Sequence, residues 1–148
     1  MKSTDELAHE IQEAGDIVSY FQNNREEMQI GSFSEYLEQW LAKKQVTRAE
    51  VVRWSNLNKA YVYQIFSGKK YPSRDKVIAL AFGLHLAAQE AQMLLKQAGY
   101  RELYPRDPRD ALLLFAFSKH MTILGANELL FDHEIEVLEQ EKPLDKVK

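Results

Sequence analysis

The groups in this chain able to do chemistry are four histidines and 22 carboxylates, with no cysteine among 148 residues. His9, His85, His120 and His133 show no H-x-x-x-H or mixed Cys/His spacing, so no helix face offers a metal two ligands. Without cysteine there is no thiolate ligand, thiol nucleophile or disulfide, which agrees with a reducing compartment. Gly15, Gly31, Gly68, Gly83, Gly99 and Gly125 are scattered, mostly at helix ends, and build no phosphate-cradling loop. No nucleophile elbow or triad order is visible, and the carboxylates fall on faces that read as solvated. We therefore expect no catalytic residues, no metal and no cofactor, and do not read the chain as an enzyme.

What remains is charge. The net charge is −3, but it is unevenly spread. Residues 1–42 carry two basic and nine acidic groups, residues 43–76 nine basic against two acidic, and residues 77–148 eight against eleven. The +7 segment holds Lys43, Lys44, Arg48, Arg53, Lys59, Lys69, Lys70, Arg74 and Lys76. A concentrated basic stretch in an otherwise acidic chain is the electrostatic footprint of a nucleic-acid reader. The plain alternative is a solvated basic surface, the usual fate of a charge run.

The elements that carry these cations can be read from Thr47 to Leu84. Thr47 and Glu50 form a capping box, so a helix starts there, with Val51, Val52 and Ser55 on one face. Asn56 stands where the chain must turn, a position at which Asn tolerates left-handed backbone. Asn58 caps a second short helix whose apolar positions are Val62, Ile65 and Phe66, and Gly68 ends it. Its outer face is Lys59, Ala60, Tyr63 and Gln64. After the basic loop Lys69–Pro72, Ser73 caps a third helix carrying Val77, Ile78, Leu80, Ala81 and Leu84. Two short helices at a tight turn, the second presenting small and polar groups outward, can lay a helix in the DNA major groove.

From Val51 to Gly68, without a gap, and on through Pro72 and Leu80 to Leu84, the chain resembles the Cro and lambda-repressor-like helix-turn-helix group, also called the XRE family. The resemblance implies an all-α fold: a lambda-repressor-like five-helix DNA-binding unit over residues 31–99. It also implies a sequence-specific transcriptional regulator whose helix 58–67 enters the major groove of double-stranded DNA. On that reading Lys59, Ala60, Tyr63 and Gln64 face base edges. Arg48, Lys69, Lys70, Arg74 and Lys76 hold phosphates. Tyr61 is divided between core packing and a DNA contact. Two-fold symmetric half-sites would make the protein a homodimer.

The rest of the chain must bury what it can. Residues 1–30 read as an amphipathic helix, Ser3 to Phe21, with Ser3 and Glu6 as capping box and Leu7, Ile11, Ala14, Val18 and Phe21 as its stripe. This helix is expected to pack on the body or on a partner subunit, with a polar loop following to Gly31. Ser32 and Glu35 begin a helix to Lys44 with Phe33, Tyr36, Leu37, Trp40 and Leu41 inward. Leu86 to Ala98 makes another, closed by Gly99. Residues 100–148 form a C-terminal helical extension: a two-proline linker pinned by Tyr104, a helix begun by Asp107 and Pro108, a helix from Asn127 to Leu138, and a frayed tail from Glu139.

A composition of 45% hydrophobic and 28% charged residues suits one folded unit. No apolar run reaches the roughly 20 residues of a membrane span, and the N-terminus lacks a secretory signal, so a cytoplasmic protein is expected. The competing functional reading is a protein-interaction adaptor, a signalling or toxin-antitoxin partner. Its motive is the acidic terminal helices and the aromatic Tyr61, Tyr63, Phe66 and Tyr71 around the reading face.

Overall fold

The computed structural model describes residues 2–23 and 32–138, and every regular element among them is a helix. The expectations for the Phe21 side chain, for the connection ending at Gly31 and for the tail from Glu139 lie outside the described residues. The chain divides into two compact units, Met1–Ser32 and Phe33–Lys148.

The first unit contains α1 (Thr4–Glu13) and α2 (Ile17–Asn23), where a single helix was expected. The Ser3–Glu6 capping box forms with both hydrogen bonds, 3.1 and 2.7 Å. The helix then breaks because Ala14 turns extended, with ψ 141°, beside Gly15. Asp16 restarts it by accepting the Ser19 amide at 2.8 Å, a second cap. α1 buries none of its residues, so its apolar stripe is not a core face.

The second unit holds α3 (Phe33–Lys44), α4 (Arg48–Ser55), α5 (Lys59–Phe66), α6 (Arg74–Gly83), α7 (Ala88–Gln97), α8 (Pro108–Ser118) and α9 (Ile123–Asp132). One hydrophobic cluster draws on all seven helices. α6 is its centre: every residue from Val77 to Gly83 is buried, and it packs on α4, α7 and α9. A helix apolar on all sides is what a central element requires. Gly83 lets α4 approach, since a Cβ there would lie 2.9 Å from the Val51 carbonyl oxygen and 3.0 Å from the Ser55 Cβ.

Local signals set most of the boundaries. Thr47 and Glu50 exchange both capping bonds, and Asn58, Ser73 and Asp107 each accept the amide three residues on. Leu86 precedes α7 instead of opening it, because His85 closes the preceding helix with left-handed backbone. α9 begins four residues before the expected start, because Thr122 caps Gly125 at 3.1 Å, and it stops at Asp132, beyond which Glu134 takes left-handed backbone with φ 57°. Residues 135–138 run on without helix, and Leu138 is buried. Asn127 holds it there, accepting the Leu138 amide at 2.7 Å and donating to its carbonyl at 3.3 Å.

The linker is likewise pinned, though not by Tyr104, whose ring is half exposed. Leu103 is the buried residue, and the Gln92 carboxamide bonds both its N–H and its C=O at 2.7 and 2.9 Å. The helix starts of α6 and α8 are then cross-linked by two Arg-Asp dipeptides in reciprocal pairing. Arg74 bonds Asp110 at 2.9 and 3.3 Å, while Arg109 bonds Asp75 with two contacts of 2.9 Å. The Asp75 carboxylate holds the Arg109 guanidinium in its charged form, raising its pKa further against the opposing effect of burial.

Candidate nucleic-acid interface

α5 is built to show one face. Val62, Ile65 and Phe66 are buried on its inner side, so Lys59, Ala60 and Tyr63 project outward, with Gln64 half-buried beside them. The turn before it is tight because Asn56 adopts φ 63°, ψ 22°, and because the buried Ser55 hydroxyl accepts the Leu57 amide at 3.2 Å. Asn58 then caps the Tyr61 amide at 3.2 Å, leaving the first turn of α5 ordered and solvent-facing. Glu50, at the start of α4, is held below the usual carboxylate range by the Thr47 amide that donates to it, with burial acting the other way.

The nine cations of residues 43–76 divide into those spent within the fold and those left on its surface. Arg74 is spent. Besides Asp110 it donates to the carbonyls of Arg101 and Glu102 at 2.9 and 3.0 Å, so four of its five N–H groups bond inside the molecule. This residue, expected to hold a phosphate, thus carries internal structural contacts. The reason is that Asp110, only 2% exposed, needs a cation. Arg48 is ion-paired with Glu38 and lies over the Phe66 ring at 5.4 Å. Lys44 pairs with Glu90 at 2.9 Å. Lys76 rests over the half-buried Tyr61 ring at 5.4 Å, which places Tyr61 with the core.

Arg53, Lys59, Lys69 and Lys70 are exposed and make no salt bridge among the described residues. Lys59 reaches over the Tyr63 ring at 5.9 Å, and with Arg53, Ala49 and Val52 the pair lines a shallow groove between α4 and α5. Arg53 lines this groove, and sequence reading left it out of the candidate site. Its signal was available, because it lies on the outer face of α4, two residues past the buried Val51. Lys69 and Lys70 are brought alongside α5 by their own backbone: both amides donate to the Gln64 carbonyl, at 2.9 and 3.2 Å, and Gly68 permits the bend with φ 85°. Lys59 and Tyr63 thus share the groove with Arg53, while Lys69 and Lys70 adjoin the Gln64 end of α5 and the Arg74 guanidinium is turned to Asp110.

Among the described residues no group of three or more His, Asp or Glu side chains is placed to hold a metal, and no helix is long and apolar enough to cross a membrane. No protein-family model, characterised protein or solved structure matches this chain.

Proposed function

We propose that this chain is a sequence-specific DNA-binding regulator of the lambda-repressor type, with α3–α7 as its five-helix reading unit and α5 in the major groove of duplex DNA. The observation that carries the reading is the outward set Lys59, Ala60 and Tyr63 on a short capped helix, flanked by Arg53, Lys69 and Lys70, which are exposed and make no salt bridge among the described residues. Gln64 suits bidentate pairing with adenine and Lys59 reaches guanine, each worth about 1–3 kcal/mol of discrimination. Ala60 and Tyr63 offer apolar contact to a thymine methyl. Lys69, Lys70 and Lys76, joined by Arg53, hold phosphates and set register. Arg48 takes part by exchanging Glu38 for a phosphate.

Fluorescence anisotropy on a random duplex tests the class of partner. Five phosphate contacts give a salt slope near −4.5, so affinity should fall about 500-fold between 50 and 200 mM salt. The Lys69→Ala, Lys70→Ala double variant should weaken binding to all sequences alike, whereas Lys59→Ala, Gln64→Ala should flatten sequence preference. Salt-insensitive or absent binding refutes the DNA reading.

A homodimer accompanies this reading. The support is Phe131, Leu124 and Phe115 of α8 and α9, which are 73%, 62% and 48% exposed and more apolar than a solvent face needs. Light scattering of the full chain measures it directly. The same exposed side chains favour the second reading, a protein-interaction adaptor, if DNA binding fails.

A further inference from the structure

Away from the α5 face, a cleft of about 70 Å³ opens where Trp54 of α4 meets the turns that follow α6 and α8. Its floor is aromatic: Phe82 and Phe117 stack with ring centroids 4.1 Å apart and 17° between planes. Its rim carries His85, His120 and Thr122, and the Trp54 indole meets His85 edge-on at 5.0 Å. Both histidines occupy left-handed positions, φ 58° and 57°, where glycine is the least strained residue. His133, outside the cleft, is turned onto the Leu129 carbonyl at 2.9 Å. By contrast no hydrogen bond engages the His85 ring, the His120 ring or the Trp54 N–H among the described residues, and the Glu50 carboxylate acts on His85 through charge alone. The Thr122 oxygen accepts the Gly125 amide, which leaves its O–H to donate.

The chemistry of such a cleft is selective. The facing sides of Phe82 and Phe117 are spent on each other, so it makes no aromatic cage for an organic cation. Its rim offers N–H and O–H donors above an apolar floor, which suits an anion with a short apolar body. At roughly 12 Å³ per water-sized sphere, the space admits about five or six non-hydrogen atoms.

We propose that this cleft binds a small monocarboxylate of the size of propionate or butyrate, its carboxylate held by His85 and His120 and its alkyl body laid on Phe82 and Phe117. The site does not rest on the DNA reading, and its test needs no DNA.

The experiment is an NMR titration of the full chain with sodium propionate at constant ionic strength, with propionamide as the uncharged isostere. The expected result is saturable shifts at the His85 and His120 rings and the Trp54 indole, with millimolar affinity. His9, His133 and the Trp40 indole should stay still, and propionamide should have no such effect. His85→Gly and His120→Gly suit the left-handed backbone. They should keep or raise the thermal midpoint while weakening propionate binding at least tenfold. Shifts that never saturate, an equal response to propionamide, or glycine variants that bind like the unmodified protein would each overturn the proposal. Should a glycine variant not fold, the titration of the unmodified protein decides alone.

Discussion

Capping bonds are where single residues decide this fold, and they titrate. Glu50 accepts the Thr47 amide at 2.9 Å, and that bond holds its pKa below the ordinary 4.5. A carboxylate with a depressed folded pKa contributes stability that is complete above the unfolded value and disappears as pH falls through the folded one. Glu50→Gln keeps an oxygen for the amide but removes the charge, so the thermal midpoint should fall less steeply than in the unmodified protein below about pH 4.5. Melts at stepped pH check this, and parallel acid limbs would contradict it. Residues of this kind were legible in the sequence because cap and partner stand three apart, as in Thr47–Glu50 and Ser3–Glu6. Arg74 was not legible. Its partner lies 36 residues away, and a guanidinium inside a basic run carries no local mark of being spoken for.

At the level of helices, the crossing of α4 over α6 sets where α5 can stand. The two backbones come together over Gly83, so Gly83→Ala must push Val51 and Ser55 aside. Overpacking of this kind costs about 1–3 kcal/mol. Because α4 carries the turn into α5, the DNA affinity proposed above for the α5 face should fall with it. Chemical denaturation read beside anisotropy tests both, and an unchanged denaturation midpoint would show that the crossing can spread. Helix periodicity foretold α3, α4 and α5 because each has one buried face. It was blind to the role of α6, which is buried all round, and to the start of α9, where an apolar run masks the Thr122 cap. The interruption of α1 and α2 was missed because the apolar spacing of Leu7, Ile11 and Ala14 continues past Gly15 to Val18, while the Asp16 cap is a weaker pattern than the stripe it interrupts.

Across the whole second unit, α8 and α9 share the core of α3–α7 instead of forming an appendage, and the reciprocal Arg-Asp pairs fasten them to α6. Asp110 also accepts the Tyr104 amide at 3.0 Å, so its charge serves three donors at once. Asp110→Asn leaves Arg74, whose side chain is 20% exposed, without its counter-charge. The expected loss is about 3 kcal/mol, at the low end for breaking a buried pair because Arg74 keeps two carbonyls. Urea unfolding measures it. Partial recovery in an Arg74→Met, Asp110→Leu double variant would separate the lost pair from lost packing.

Gln92 and Asn127 each grip a leucine backbone from both sides, at Leu103 and Leu138, in stretches with no helix of their own. Amide protons in irregular segments ordinarily trade with deuterium within moments, but these two can open only if a side-chain carboxamide lets go, half-buried at Gln92 and buried at Asn127. In heavy water they should persist like protons from the middle of α6, two slow signals isolated among fast neighbours, and Gln92→Ala should release the first without touching the second.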